Sequence, residues 1–420
     1  MSFQQGLSGL NATSKNLEII GNNVANANTY GAKSSRAEFA DIYAAALNGS
    51  SSNQAGIGVT VATIAQQFTQ GNITPTGNSL DLAINGGGFF QVLDSNNQNC
   101  YTRNGQFKLD REGYIVTNEG NKLLGYGADG LGTIVPGKAV PLQLPTGGIN
   151  PHATDRVTMQ YNLDSRAAVT LPATSPPIDF ANRATYNNAT SVTMYDAKGQ
   201  DVAVTYYYQK TGTDTWDVYA TANGTTVNGT AAAPLPVTSL TLSSDGGTLL
   251  APSPPPTFDI PATTDASGAT TLPIAGITLD MTGSTQFGAN FGVTNMVQTG
   301  YAAGQLTGVT VDTTGHLVAR YSNGQTKNAG QLEIAAFRNP QGLQATGGNV
   351  WQRTFASGDP VLGVPGDGNL GAVQSGALEE SNVDLTAELV AMMTAQRDYQ
   401  ANAQTIKTMD QAMQTLVNLK

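Results

Sequence analysis

LTAELVAMMTAQRDYQANAQTIKTMDQAMQTLV, residues 385–417, decides the fold. Leu385, Leu389, Met392, Gln396, Tyr399, Ala403, Ile406, Asp410, Met413 and Val417 step alternately by four and three, and only Gln396 and Asp410 break the apolar row. That is a heptad seam, which predicts a long helix with a narrow apolar stripe. The other end of the chain repeats the pattern with Phe3, Leu7, Leu10, Ser14, Leu17, Gly21 and Val24. Ser2 with Gln5, and Ser381 with Asp384, stand where an N-cap and its third-residue partner would stand, so helices are predicted over 2–27 and 381–418. A 38-residue helix would be about 57 Å long. Such a stripe is satisfied by another helix: the two ends meet each other, or meet the ends of neighbouring copies, or dock on a globular body.

Between the stripes the pattern changes. Residues 28–58, rich in Asn, Gly and Ser, read as an extended linker. Alternating runs then begin at GVTVATIAQQF (58–68) and LDLAINGGGFFQVLD (80–94), and Asn104-Gly105 reads as a hairpin turn. Residues 59–150 therefore read as an antiparallel β domain, resumed over 299–380, where Gly315 and Asn323-Gly324 mark turns. Residues 151–298 read as a second β domain inserted into the first, with a turn at Asp196 to Gly199. The prolines of 233–273 are expected to hold that stretch to edges and loops. The predicted fold class is α+β and multidomain: an antiparallel coiled-coil-like pair of terminal helices, 1–27 with 381–420, and two mainly antiparallel β domains.

Composition narrows the function. Charged residues make up 12%, about half the usual share, so the polar surface is carried by Asn, Gln, Ser, Thr and Gly. A net charge of -10 and a pI near 4.6 disfavour nucleic acid, whose phosphates need clustered Lys and Arg. Cys100 stands alone, so no disulfide can form within the chain. Neither a Sec-type signal peptide nor an apolar run long enough to span a membrane is visible.

No catalytic, cofactor-binding or metal residue is assigned. Gly366-Asp367-Gly368-Asn369-Leu370-Gly371 matches GxGxxG, but Pro365 precedes it and no helix pattern follows, so it reads as a turn. His152 and His316 show no partner at metal-ligand spacing. Asp94-Ser-Asn96-Asn-Gln98 opens like a calcium loop, yet Gly105 stands where a bidentate Glu is required. Asn11, Asn188, Asn223 and Asn228 begin glycosylation strings of the kind chance supplies in so Asn- and Thr-rich a chain. Cys100 reads as an inert thiol, and Trp216 and Trp351 as core anchors.

MSFQQGLSGLNATSKNLEIIGNNVANANTYGAKSS (1–35) resembles the N-terminal signature of the bacterial flagellar rod and hook family, with Gly21, Asn22, Asn23, Asn26, Thr29 and Gly31 in its Asn-rich part. Residues 377–419 resemble that family's C-terminal helix, and FTQGNITPTGNSLDLAINGGGFFQV and YTRNGQFKLDREGYIVTNEGNKLLGY resemble its first β domain. Ala32 departs from the pattern, where many members have an aromatic residue. Within the family the insert at 151–298 points to hook-forming members, since distal-rod members lack one. The resemblance implies a homopolymer: a curved hollow tube on the outside of the cell that transmits torque as a universal joint. It implies export through the flagellar type III apparatus without a cleaved signal. It also implies contacts with a distal rod protein, a hook cap, a hook–filament junction protein and a hook-length ruler. Gln404, Gln411 and Gln414 would present a polar face to the channel. The competing readings are a distal-rod-type axial protein and an extracellular β-rich adhesin.

Overall fold

The computed structural model describes the chain except residues 1–2, 43–57, 131, 146, 171–175, 266–267 and 419–420, and it leaves aside the side chains of 416–418. The two periodic stretches are helices: α1, Phe3–Ala25, and α2, Leu385–Asn418. At 34 residues α2 is about 51 Å long. It starts later than the sequence suggests because Asp384, not Ser381, is its cap. The Asp384 carboxylate accepts the backbone N–H groups of Thr386 and Ala387 at 2.9 and 3.1 Å, satisfying donors that a helix start leaves orphaned. Ser2 lies outside the described residues.

The chain forms two compact units, one of 1–146, 308–320 and 326–420, the other of 147–307 and 321–325. The first holds both helices. Residues 28–58, read as linker, contain a strand: Ser35–Ile42 pairs antiparallel with Gly58–Gln66, with a bulge between Glu38 and Phe39. Beyond this hairpin, Phe89–Leu93 lies between Asn99–Thr102 and Lys122–Gly127, and Val350–Gln352 extends the sheet beside Asn99–Thr102. Phe68, Phe89, Tyr101, Phe337 and Trp351 fill the core edge to face, ring centroids 4.7–6.0 Å apart. Two short ladders tie the approach to α2 into this body: Ala372–Ser375 on Leu82–Asn85, and Ala377–Glu379 on Ile73–Pro75.

Asn104-Gly105 is not a hairpin turn. The Gly105 carbonyl accepts the Leu82 N–H at 3.0 Å, and a Cβ on Gly105 would fall 1.6 Å from the Leu82 oxygen. Glycine is needed there for close backbone approach. The GxGxxG string is a turn, with the Gly366 N–H bonded to the Gly371 oxygen at 3.1 Å. The turn at Gly324 adopts φ +79° as its sequence leads one to expect.

The second unit packs two sheets. One orders Asn188–Tyr195, Asp201–Lys210, Thr215–Ala222, Thr238–Leu242 and Leu249–Ala251, all antiparallel. Thr238–Leu242 is thus an interior strand within the Pro-rich stretch, which is possible because it contains no proline itself. The other sheet orders Thr257–Ile260, Ile274–Asp280, Arg156–Asn162 and Gly292–Gln298, with one parallel pair, Arg156–Asn162 on Ile274–Asp280. Tyr161, Tyr206, Tyr208 and Trp216 anchor the core between them, and the Trp216 indole donates to the Gln286 side-chain oxygen at 2.7 Å.

Candidate assembly surface

Within the chain the helices run antiparallel and meet through small and polar residues. Gly6 faces Ile406, Gly9 faces Asn402, and the Asn23 amide donates to Glu388 at 2.9 Å, so α2 descends as α1 ascends. The α1 side of this face follows its own 3-4 row: Gly6, Gly9 and Asn23 meet α2, and Thr13 and Asn16 line a cleft with Asp398 and Asn402, each standing one residue before a position of the apolar seam. One residue is 100° of rotation, so the two rows are neighbouring faces. A third face packs on the hairpin: the Val59 N–H donates to the Ser8 hydroxyl at 3.3 Å, and Ala12 and Ile19 are buried. Missing Cβ atoms at Gly6 and Gly9 let the helices approach, a Cβ on Gly9 falling 2.8 Å from the Asn402 oxygen.

The apolar seam is therefore turned away from the pairing face over much of its length. Phe3 is 52% exposed, Leu7 43%, Leu385 and Leu389 45% each and Met413 62%. Tyr399 is exposed too, while Leu10, Leu17, Val24 and Met392 are half-buried. Ile406 is half-buried against Gly6 and belongs to the pairing face as well. The Val417 side chain lies outside the described residues. Val390 and Met393, each 54% exposed, widen the apolar stripe beyond the seam read from the sequence.

The Asn-rich segment joins helix to β body. Asn23 clasps the Ser35 backbone, donating to its oxygen at 2.8 Å and accepting its N–H at 2.9 Å. Asn26 donates to the Asn22 oxygen at 3.0 Å, Asn22 itself being exposed, and Thr29 donates a backbone N–H to Asn26. Gly31 adopts φ +70°, and a Cβ there would fall 2.4 Å from the Asn104 nitrogen. Its N–H donates to the Glu379 oxygen at 2.8 Å. Gly21, by contrast, has nothing within 4 Å of its Cβ position.

Beside Gly31 sits an ionic node. The fully buried Glu379 carboxylate accepts from Lys33 at 2.6 Å, from Arg103 at 3.0 Å and from the Gly71 N–H at 2.9 Å. Lys33 also donates to the Thr69 oxygen at 2.7 Å and Arg103 to the Gly86 oxygen at 2.8 Å. Burial pulls the Lys33 ammonium and the Arg103 guanidinium below their usual values, and Glu379 opposes the shift in both. Asn382 completes the joint, accepting from the Ser34 N–H and donating to the Gln67 oxygen, both at 2.7 Å. Sequence reasoning missed this node and the Gly6/Gly9 face. The second 3-4 row was the available signal for the face.

The remaining chemistry-bearing residues are scattered. Burial pushes the Cys100 thiol up, against a contact from Gln352. His152 stacks on Tyr301. His316 does have a carboxylate neighbour after all, Asp312 at 3.2 Å across one turn. Among the described residues no group of three His, Cys, Asp or Glu could hold a metal, and no helix is long and apolar enough to cross a membrane.

Four family matches tile the chain. Residues 3–33 match the flagella basal body rod protein family, and 83–182 the flagellar hook protein FlgE/F/G D1 domain. Residues 162–301 match the flagellar basal body protein FlaE D2 domain, and 374–419 the flagellar basal body rod FlgEFG protein C-terminal family. The flagellar hook protein FlgE of Escherichia coli K12 is 41% identical over 425 residues, with all of both chains covered. That of Salmonella typhimurium is 40% identical at the same coverage, and that of Rhizobium meliloti 32%, with 98% of its own length covered. The crystal structure of Helicobacter pylori flagellar hook protein FlgE2 superposes with a TM-score of 0.55 at 17% identity, covering 73% of this chain and 100% of that one. It is similar in fold.

Proposed function

The chain belongs to the flagellar hook protein family, and we propose that it builds the hook by pairing its helices through one face and polymerising through the next. It is a structural subunit of the bacterial flagellar hook. The observation that carries the mechanism is the outward apolar row, Phe3, Leu7, Leu385, Leu389, Val390, Met393 and Met413, on a helix pair already joined elsewhere. Apolar area left in water forgoes about 25 cal/mol per Å², and a further copy can cover it. A single heterologous contact that does not close generates an open helical tube.

In this reading residues 1–27 and 381–420 form the inner tube, with Leu10, Leu17, Val24, Tyr399 and Val417 completing its contacts. The β domains, 59–150 with 299–380 and the inserted 151–298, form outer layers. Their separate cores support that division. A bent tube that rotates must shorten and lengthen its outer contacts each turn. Low charge and abundant Asn, Thr and Gly suit this, because exposed polar and ionic pairs contribute only about 0–1 kcal/mol each and exchange readily. By family likeness the tube would meet a distal rod protein, a hook cap, a hook–filament junction protein, a hook-length ruler and the flagellar export apparatus. No catalytic role is proposed.

Leu389→Asp tests the polymerising face. The variant should stay soluble with unchanged β circular dichroism, since Leu389 lies open in the single chain, and should form no tubes on seeding. Tubes from this variant would overturn the assignment.

A further inference from the structure

In the helix-bearing unit a groove of about 910 Å³ opens between Leu93, Leu124, Val140 and Leu362. Glu333 and Gln91 also line it, each only 2% exposed, with their free oxygens buried beneath its surface. Among the described residues the Glu333 carboxylate has one bond, from the Tyr126 hydroxyl at 2.7 Å. Its second oxygen, Oε2, has no partner, and neither has the Gln91 side-chain oxygen. An ionised carboxylate has room for about four hydrogen bonds. A buried acceptor left bare is costly, and a charged one more so.

We propose that this groove is a socket for an exposed Lys or Arg side chain of a second copy of the chain, and that in the polymer the Glu333 and Gln91 side-chain oxygens, buried in the single chain, turn out to meet its charged head. The inference rests on the hook-subunit reading. Two bare acceptors call for a donor-only group, which Lys and Arg are. The apolar walls suit the aliphatic stem that either residue buries while its charged head stays solvated or paired. The groove's own cations do not fill it: Arg353 pairs with Asp359, and Lys138 stands exposed on the rim without an ion pair among the described residues. Beside the groove the edge strand Val361–Gly363 leaves Val361 65% and Leu362 45% exposed, an apolar margin that a neighbouring copy would cover. Such copies carry cations to spare. Lys108, Arg183, Lys198, Arg338, Arg397 and Lys407 are exposed and form no salt bridge among the described residues.

The test is elongation of preformed seeds by the purified full chain, read as the free concentration at which growth stops, with monomer melting alongside. Elongation by the unaltered chain checks the hook-subunit reading separately. Glu333→Gln keeps the Tyr126 bond but loses the charge. It should raise the threshold concentration about tenfold or more, with monomer melting unchanged or higher, because a bare buried charge is gone. An unchanged threshold overturns the socket, as does a threshold that rises only together with a fall in monomer melting, the mark of a water-bridged structural carboxylate. A double-mutant cycle then finds the partner. Gln substitution at one of the six unpaired cations should raise the threshold alone but add little to Glu333→Gln. Full additivity for all six overturns the proposal, and so does non-additivity with Lys138→Gln alone, which would make the occupant the chain's own.

Discussion

At the scale of single residues, the joint between helix and β body depends on Glu379. Its carboxylate is the common partner of Lys33 and Arg103, which lie 346 and 276 residues away in sequence. Replacing one member of a buried ionic cluster strands the others, which costs about 3–5 kcal/mol. Glu379→Ala should therefore lower the unfolding free energy of the helix-bearing unit by about that amount. Urea titration of Trp351 fluorescence, with Trp216→Phe in both parent and variant, reports on that unit alone. A change below about 1 kcal/mol would mean that water or side-chain movement relieves the two cations. None of the three residues announces this role in sequence, because the cluster exists only once distant segments are folded together. Gly31 was legible as part of a signature, but its reason, the Asn104 backbone 2.4 Å from a would-be Cβ, is a tertiary fact.

At the scale of elements, α1 turns one face to α2 and another to the hairpin and leaves a third open, and two glycines tell the first from the last experimentally. Gly9→Leu would drive a side chain into Asn402 and force the helices apart. Gly21→Ala meets nothing within 4 Å and should stabilise α1 by up to about 1 kcal/mol through helix propensity. Limited trypsin digestion should thus cut α2 at Arg397 and Lys407 faster in Gly9→Leu and no faster in Gly21→Ala; equal rates in both would refute the pairing face. Both helices were legible in sequence because a 3-4 repeat is a local signal carried by many residues. Which face turns inward was not, because Gly6, Gly9, Thr13 and Asn16 have no hydrophobic signature. The hairpin of Ser35–Ile42 and Gly58–Gln66 was half hidden for a similar reason. A Ser- and Gly-rich stretch separates its strands, and the first of them is packed by α1 rather than marked by clean alternation.

At the scale of the whole molecule, each unit holds a core cluster of its own: one runs from Val157 to Met281, the other gathers Phe89, Tyr101, Ala335, Phe337, Leu343 and Trp351. The chain leaves and returns at nearly one point. Ile149 and Gly304 exchange backbone hydrogen bonds at 2.8 and 3.1 Å, and His152 and Tyr301 do so at 3.0 Å. Joining residue 150 to 299 would consequently close a short loop beside a surviving bridge, at little entropic cost. Both helices, the Glu379 node and the aromatic core all lie outside the excised stretch. The deletion should thus fold, pair its helices and still elongate into tubes, because the rows proposed to polymerise are intact. What it should lose is the outer layer of weak contacts, so its tubes should be straighter or differently coiled by electron microscopy. Deletion tubes with unchanged curvature would remove the outer domain from the bending mechanism. Failure to assemble, with the helix-bearing unit folded by circular dichroism, would make that domain part of the primary interface and would refute a tube held by helices alone.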